Sequence, residues 1–105
     1  MSAVLSPLPT IEAEALEIDL KFIMQRPKAK YRKKDADRRY IHTKKPDIDN
    51  LIKGVLDALQ KSNVIHDDAI VYKVSASKYV AKKTENAAVI IHIKRGELTD
   101  SPPNH

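Results

Sequence analysis

Five residues in two short runs have the types and spacing to do chemistry together. Asp47, Asp49 and Lys53 lie in Lys45-Pro46-Asp47-Ile48-Asp49-Asn50-Leu51-Ile52-Lys53, and Asp67 and Asp68 lie in His66-Asp67-Asp68, about one helix later. Two carboxylates about 4 Å apart repel by roughly 4 kcal/mol at an effective dielectric of 20, and a bound cation removes that conflict. Oxygen ligands that leave water on the ion suit Mg²⁺, with Mn²⁺ able to substitute. Such an ion can activate water, neutralise a phosphodiester and stabilise a departing 3′ oxygen. Lys53 would contact the phosphate or position the water. Each residue taken singly has a plainer reading. Asp47 and Asp49 are then helix caps, Lys53 a solvated helix lysine, and Asp67-Asp68 a turn. Residue types alone leave both readings open.

The elements that must hold these residues can be read from the pattern. Leu16, Ile18, Leu20, Phe22 and Met24 alternate with Glu17, Asp19 and Lys21, the period of a half-buried strand, and Pro27 ends it. Pro46 with Asp47 to Asn50 marks a helix start. Leu51, Ile52, Val55, Leu56 and Leu59 form one apolar stripe, so a helix is predicted to run to about Lys61, where Ser62-Asn63 breaks it. Gly54 inside that helix costs about 1 kcal/mol relative to Ala, which suggests close approach of another backbone. A second strand is predicted from Ala69 to Val80, with Ile70, Tyr72, Val74 and Ala76 on one face. Ala87 to Ile93 is a near-continuous apolar run and reads as a central strand. Asp67 and Asp68 are then expected where the chain returns to the same end of the sheet as Asp47 and Asp49. The predicted class is α+β: a two-layer α/β sandwich, order β-α-β-β, with one main amphipathic helix on a small mixed sheet. Residues 1–14 read as a loose lead-in, 15–95 as the domain and 96–105 as a disordered tail.

The 105 residues fit one modest domain, and a chain this short makes a partner subunit plausible. Net charge is +5, which favours a polyanionic partner. The charge is concentrated: from Lys21 through Lys45 there are eleven Lys or Arg against Asp35 and Asp37. Lys28, Lys30, Arg32, Lys33, Lys34, Arg38, Arg39, Lys44 and Lys45 are the candidate DNA contacts, on what reads as an exposed loop. Tyr31 and Tyr40, interleaved with them, either stack on unpaired bases or pack the loop. The absence of cysteine excludes disulfides, thiolate zinc sites and a cysteine nucleophile, and fits a reducing cytoplasm. No stretch approaches the roughly 18 apolar residues of a membrane helix. His42 and His66 flank the acidic clusters as lesser candidates for a ligand or proton carrier. Asp57 reads as a structural or solvent-facing acid.

The string from His42 through Leu59, and Val64-Ile65-His66-Asp67-Asp68-Ala69-Ile70-Val71 after it, resemble the RusA family of Holliday junction resolvases. The D-x-D-N-L-x-K core followed by D-D at this distance is far more specific than any acidic pair alone. The resemblance implies a homodimeric, Mg²⁺-dependent endodeoxyribonuclease, often prophage-borne, that binds four-way DNA junctions and cuts two opposed strands symmetrically. It implies Asp47, Asp49 and Asp68 as catalytic acids and metal ligands and Lys53 as the essential lysine, with Asp67 as a neighbouring acid. Family members usually carry a further N-terminal strand and helix, so a short or truncated member is expected. Two alternatives accompany this: a non-catalytic DNA-binding relative, and a nuclease for other branched DNA such as flaps and forks.

Overall fold

The computed structural model describes residues 10–96; the first nine residues, and residues 97–105 of the expected tail, lie outside them. Along the chain come β1 (Ala15–Met24), β2 (Tyr40–Ile41), α1 (Ile48–Lys61), β3 (Val71–Val80) and β4 (Ala88–Gly96). Short 3-10 turns occur at Lys28–Lys30 and Asp68–Ile70.

The alternation in β1 does what its period requires. Leu16, Ile18, Leu20 and Phe22 are buried, and the α1 stripe of Leu51, Ile52, Val55, Leu56 and Leu59 packs over them. Val64 and Ile65 complete that core. The helix ends as its sequence suggests. Asn63 takes a left-handed φ of 59°, which Asn tolerates better than most residues. Its amide donates to the Gln60 carbonyl, and that of Val64 donates to the Leu59 carbonyl. Val64 and Leu59 are both buried, the apolar contact that accompanies this kind of helix stop.

The four strands form one mixed sheet in the order β2-β3-β1-β4. β3 runs parallel to β1, and β4 and β2 pair antiparallel with β1 and β3. Parallel neighbours need a crossover, and α1 supplies it. One helix over one sheet face is the predicted two-layer α+β architecture.

Three details differ from the sequence expectation. The apolar run of β4 is at an edge, and β1 is central. α1 does not cover all of β4, so Val89 and Ile91 remain 46% and 38% exposed. Secondly, Tyr72 does not share a face with Val74. Leu16 pairs with Val71 but Glu17 with Lys73, so Tyr72 is the extra residue of a bulge. A bulge reverses the alternation: Val71, Val74 and Ala76 pack on the core, while Tyr72 is 61% exposed. It lies against Gly96, where a Cβ would come within 2.5 Å of the Tyr72 ring. Gly96, expected to open the tail, instead closes β4. Thirdly, a Cβ at Gly54 would meet nothing within 4 Å, so among the described residues no backbone outside its own helix approaches it.

Candidate active site and nucleic-acid interface

Asp47 occupies the N-cap position of α1. Its backbone is extended, with φ −68° and ψ 146°, and its carbonyl accepts the Leu51 amide. Its carboxylate, however, makes no capping hydrogen bond. An N-cap aspartate ordinarily uses its side chain to satisfy first-turn amides, so this side chain is left for something else. Asp49, in the first turn, is also exposed. Asp47 and Asp49 line one open cleft with His42, Lys44, Lys45, Ser77 and Lys78.

Lys53 and Asp68 line a second cleft with Gly54, Asp57 and Gln60. The Asp68 amide donates to Oε1 of Gln60 at 3.1 Å, placing it beside the last turn of α1. Asp67 is occupied otherwise: its Oδ1 accepts the Ala69 amide at 3.0 Å, capping the short 3-10 turn. Asp57 pairs with Lys61 at 3.0 Å on the exposed helix face. His66 lies 3.2 Å from Glu12.

The expectation that both acidic runs meet at one end of the sheet does not hold. The segment before Asp47 is tethered by Lys78, near the end of β3, whereas Asp68 opens the 3-10 turn that leads into Val71, at its start. The reason is topological: a helix joining two parallel strands runs back against both. Asp49 and Gln60 are eleven residues apart on α1, roughly 16 Å along its axis at about 1.5 Å per residue. Among the described residues, no three Asp, Glu or His side chains gather closely enough to hold a metal ion. A single chain in this arrangement therefore does not fit a three-carboxylate metal site, although each donor is of the right type.

The basic segment is built around Arg26, which sequence reading counted only as charge. It is 3% exposed and has no carboxylate partner among the described residues. Its guanidinium donates instead to four carbonyls: Lys30 at 2.7 Å, Ala36 at 3.0 Å, and Arg38 and Ala81 at 3.2 Å each. Tyr31 and Tyr40 flank it, with ring centroids 5.9 and 5.6 Å away. These tyrosines therefore pack the loop, and each keeps about a third or more of its surface exposed. Lys83 adds two ties, from Nζ to the Arg32 carbonyl and from its amide to Oδ1 of Asp37, both 2.7 Å. β2, hidden inside this segment, fixes its far end to β3. The result presents Lys28, Lys30, Arg32, Lys33, Lys34, Arg38, Lys44 and Lys45 as exposed residues on an organised surface.

Arg39 is different, because its guanidinium is committed to both carboxylate oxygens of Glu85. The Arg39 bonds, and next the Lys82 amide, hold the Glu85 carboxyl at about 2 instead of 4.5. A carboxyl depressed in the folded state stabilises above its unfolded value and loses that contribution as pH falls through its folded value. Acidification from 4.5 towards 2 is therefore expected to release the Arg39 end of the loop. Following the Glu85 carboxyl by NMR checks this, and Glu85→Gln should remove that step in the loop amides. A Glu85 midpoint near its ordinary value would show that the tether does not form in solution.

In the first cleft, burial holds the His42 imidazole below its ordinary value, and Lys78 and Lys44 push the same way. Its Nδ1 is buried with no hydrogen-bond partner among the described residues. No helix among the described residues is long and apolar enough to cross a membrane. A family model described as endodeoxyribonuclease RusA matches residues 2–94. No curated protein and no solved structure matches the chain.

Proposed function

The chain belongs to the endodeoxyribonuclease RusA family, and from that premise we propose that it is a Mg²⁺-dependent, structure-specific endodeoxyribonuclease. Its substrate in this reading is the four-way DNA junction of recombination and repair, cut symmetrically by phosphodiester hydrolysis in the cytoplasm. The observation that carries the reading is Asp47. A carboxylate stands at a helix N-cap, does not cap, and opens into a cleft with Asp49. Asp47, Asp49 and Asp68 are the proposed metal-binding acids, and Mn²⁺ would serve in place of Mg²⁺.

The roles of the remaining residues follow from where they stand. The loop organised by Arg26 grips phosphates, which position the substrate without reading its sequence. Lys53, one turn beyond Asp49 and in the cleft with Asp68, is placed to meet a phosphate at the cutting point. Because Asp49 and Asp68 stand apart along α1, we place the working site between two copies of the chain. Asp47 and Asp49 of one copy would then face Asp68 of the other. A two-fold axis makes two equivalent sites, matching two opposed strands in a junction. The room around Gly54, on the exposed side of α1, leaves that face open to a second copy.

A second reading is favoured by the same separation. A chain that stays monomeric would bind branched DNA through its basic surface without cutting it. One experiment distinguishes them: cleavage of a synthetic four-way junction, with flap and fork DNA alongside. Mg²⁺ is expected to support cutting and EDTA to stop it. Asp49→Asn should cost more than the roughly 10–100-fold typical of disturbing an outer partner of a metal site. Tight junction binding with no product at any Mg²⁺ or Mn²⁺ concentration would establish the binding-only reading. Preferential cutting of flaps or forks would move the substrate.

A further inference from the structure

Lys78 is out of place on the face it occupies. In the parallel register Ile18, Leu20 and Phe22 of β1 stand beside Val74, Ala76 and Lys78 of β3. Those β1 residues face the apolar core, so Lys78 continues a row of core-facing positions. A lysine there is tolerated when its stem lies along apolar surface and its ammonium reaches acceptors. The ammonium meets the carbonyls of Lys44 and Pro46, each at 2.7 Å. These two residues lie just before Asp47. On one side the chain is anchored by the His42 amide on the Lys78 carbonyl, and on the other by the Leu51 amide on the Asp47 carbonyl. Between those anchors Pro46 has no amide to donate. Both ends of Lys78, its carbonyl and its ammonium, thus grip the approach to Asp47.

We infer that Lys78 is a positioning residue for the cutting reaction, holding residues 44–46 so that Asp47 presents its carboxylate to the cleft instead of capping α1. This rests on the proposed nuclease reading for its effect on rate, though not for its effect on structure. An ammonium has three donors, and two are used here. Asp47 already has the extended backbone of an N-cap residue, and only its side chain fails to cap. With the Lys78 ammonium removed, residues 44–46 lose the hold that directs that side chain into the cleft. Asp47 is then expected to swing to the N-cap hydrogen bond that its position favours. The positive charge also lines the cleft that Asp47 and Asp49 share, where it offsets their negative charge. Lys78 contacts carbonyls of its own chain and is not offered as a catalytic residue.

The test compares full-length wild type, Lys78→Met and Lys78→Arg. Lys78→Met keeps the stem and removes the donors, so the fold is expected to survive. Single-turnover cleavage of a four-way junction with saturating Mg²⁺ should slow about 10–100-fold, as for an outer partner of a metal-site ligand. Junction affinity in EDTA should stay within about twofold, since no phosphate-facing charge of the loop is lost. Lys78→Arg, which restores charged donors, should recover most of the rate. Independently of activity, ¹⁵N spectra of Lys78→Met should show shifts confined to the amides of residues 42–51, with slower exchange at the first-turn amides as Asp47 caps them. Unshifted amides in that segment would overturn the inference whether or not the enzyme cuts. An active wild type whose Lys78→Met variant cuts at the same rate would overturn it too. An inactive wild type with the predicted amide shifts would instead remove the nuclease reading and keep Lys78 as the organiser of that loop.

Discussion

Mixing Asp49→Asn protein with Asp68→Asn protein is expected to restore junction cleavage that neither has alone. The expectation follows from where α1 puts the two acids. Asp49 is in its first turn, and Asp68 is bonded to Gln60 in its last. If each site takes Asp47 and Asp49 from one copy and Asp68 from the other, a mixed dimer has one ruined site and one intact site. The ruined site joins the Asp49→Asn end to the Asp68→Asn end. The intact site joins the two unaltered ends. Random exchange would leave on the order of a quarter of the wild-type sites, all in dimers related by a broken two-fold. Products should accordingly be nicked junctions, with one strand cut instead of two. Sites contained within single chains predict no recovery at all, because every chain in the mixture then lacks one acid. The difference between a quarter of the activity and none is large enough to read from a gel.

Replacing Arg26 with Ala should disorder the basic loop and weaken DNA binding far more than the loss of one charge explains. Hydrogen bonds to charged groups contribute about 1.5–3 kcal/mol each. The Lys30, Ala36 and Arg38 residues are exposed and can turn their carbonyls to water, but Ala81 is buried. A net destabilisation of about 2–3 kcal/mol is therefore expected, well below the sum of four bonds. Tyr31 and Tyr40 would lose the guanidinium between them. DNA affinity measured from 50 to 200 mM salt provides the comparison. Removing one phosphate contact, as in Lys33→Ala, should lower the salt slope by about one. Arg26→Ala should lower it by more, because several contacts lose their arrangement together. Arg26→Lys should fall between, since an ammonium has fewer donors and no plane to stack. Equal salt slopes for Arg26→Ala and Lys33→Ala would remove Arg26 as the organiser.

What could be read from the sequence was whatever a period displays. The alternation of β1 and the stripe of α1 each fix a buried face, and both faces meet in the core as expected. Ser62-Asn63 was legible as a stop because Asn is among the few residues at ease with φ of 59°. β4 misled because an apolar run states that residues prefer burial, not which strands flank them. The bulge at Tyr72 could not be seen, since one inserted residue leaves composition untouched and inverts every face after it. In the candidate site, spacing grouped Asp47, Asp49, Lys53, Asp67 and Asp68, and the preference for Asp68 over Asp67 came from the family resemblance. The expectation that the two runs share one end of the sheet failed because a helix between parallel strands carries its two ends apart. Arg26 and Lys78 were missed for a common reason. Each acts on backbone carbonyls far along the chain, and carbonyls leave no mark in a sequence.

The position of β4 has a consequence for handling the protein. One border of the sheet, β2, is two residues long and too short to template another strand. The other border is the nine-residue β4, whose outward amides and carbonyls have no strand beside them among the described residues. Long borders of this kind recruit strands from other molecules unless charge or geometry discourages it. Here His92, Lys94 and Arg95 interrupt the apolar run. Colloidal stability should thus depend on the Lys94 and Arg95 charges staying unscreened, making high salt, the condition that most weakens DNA binding, also the one in which the purified protein precipitates soonest.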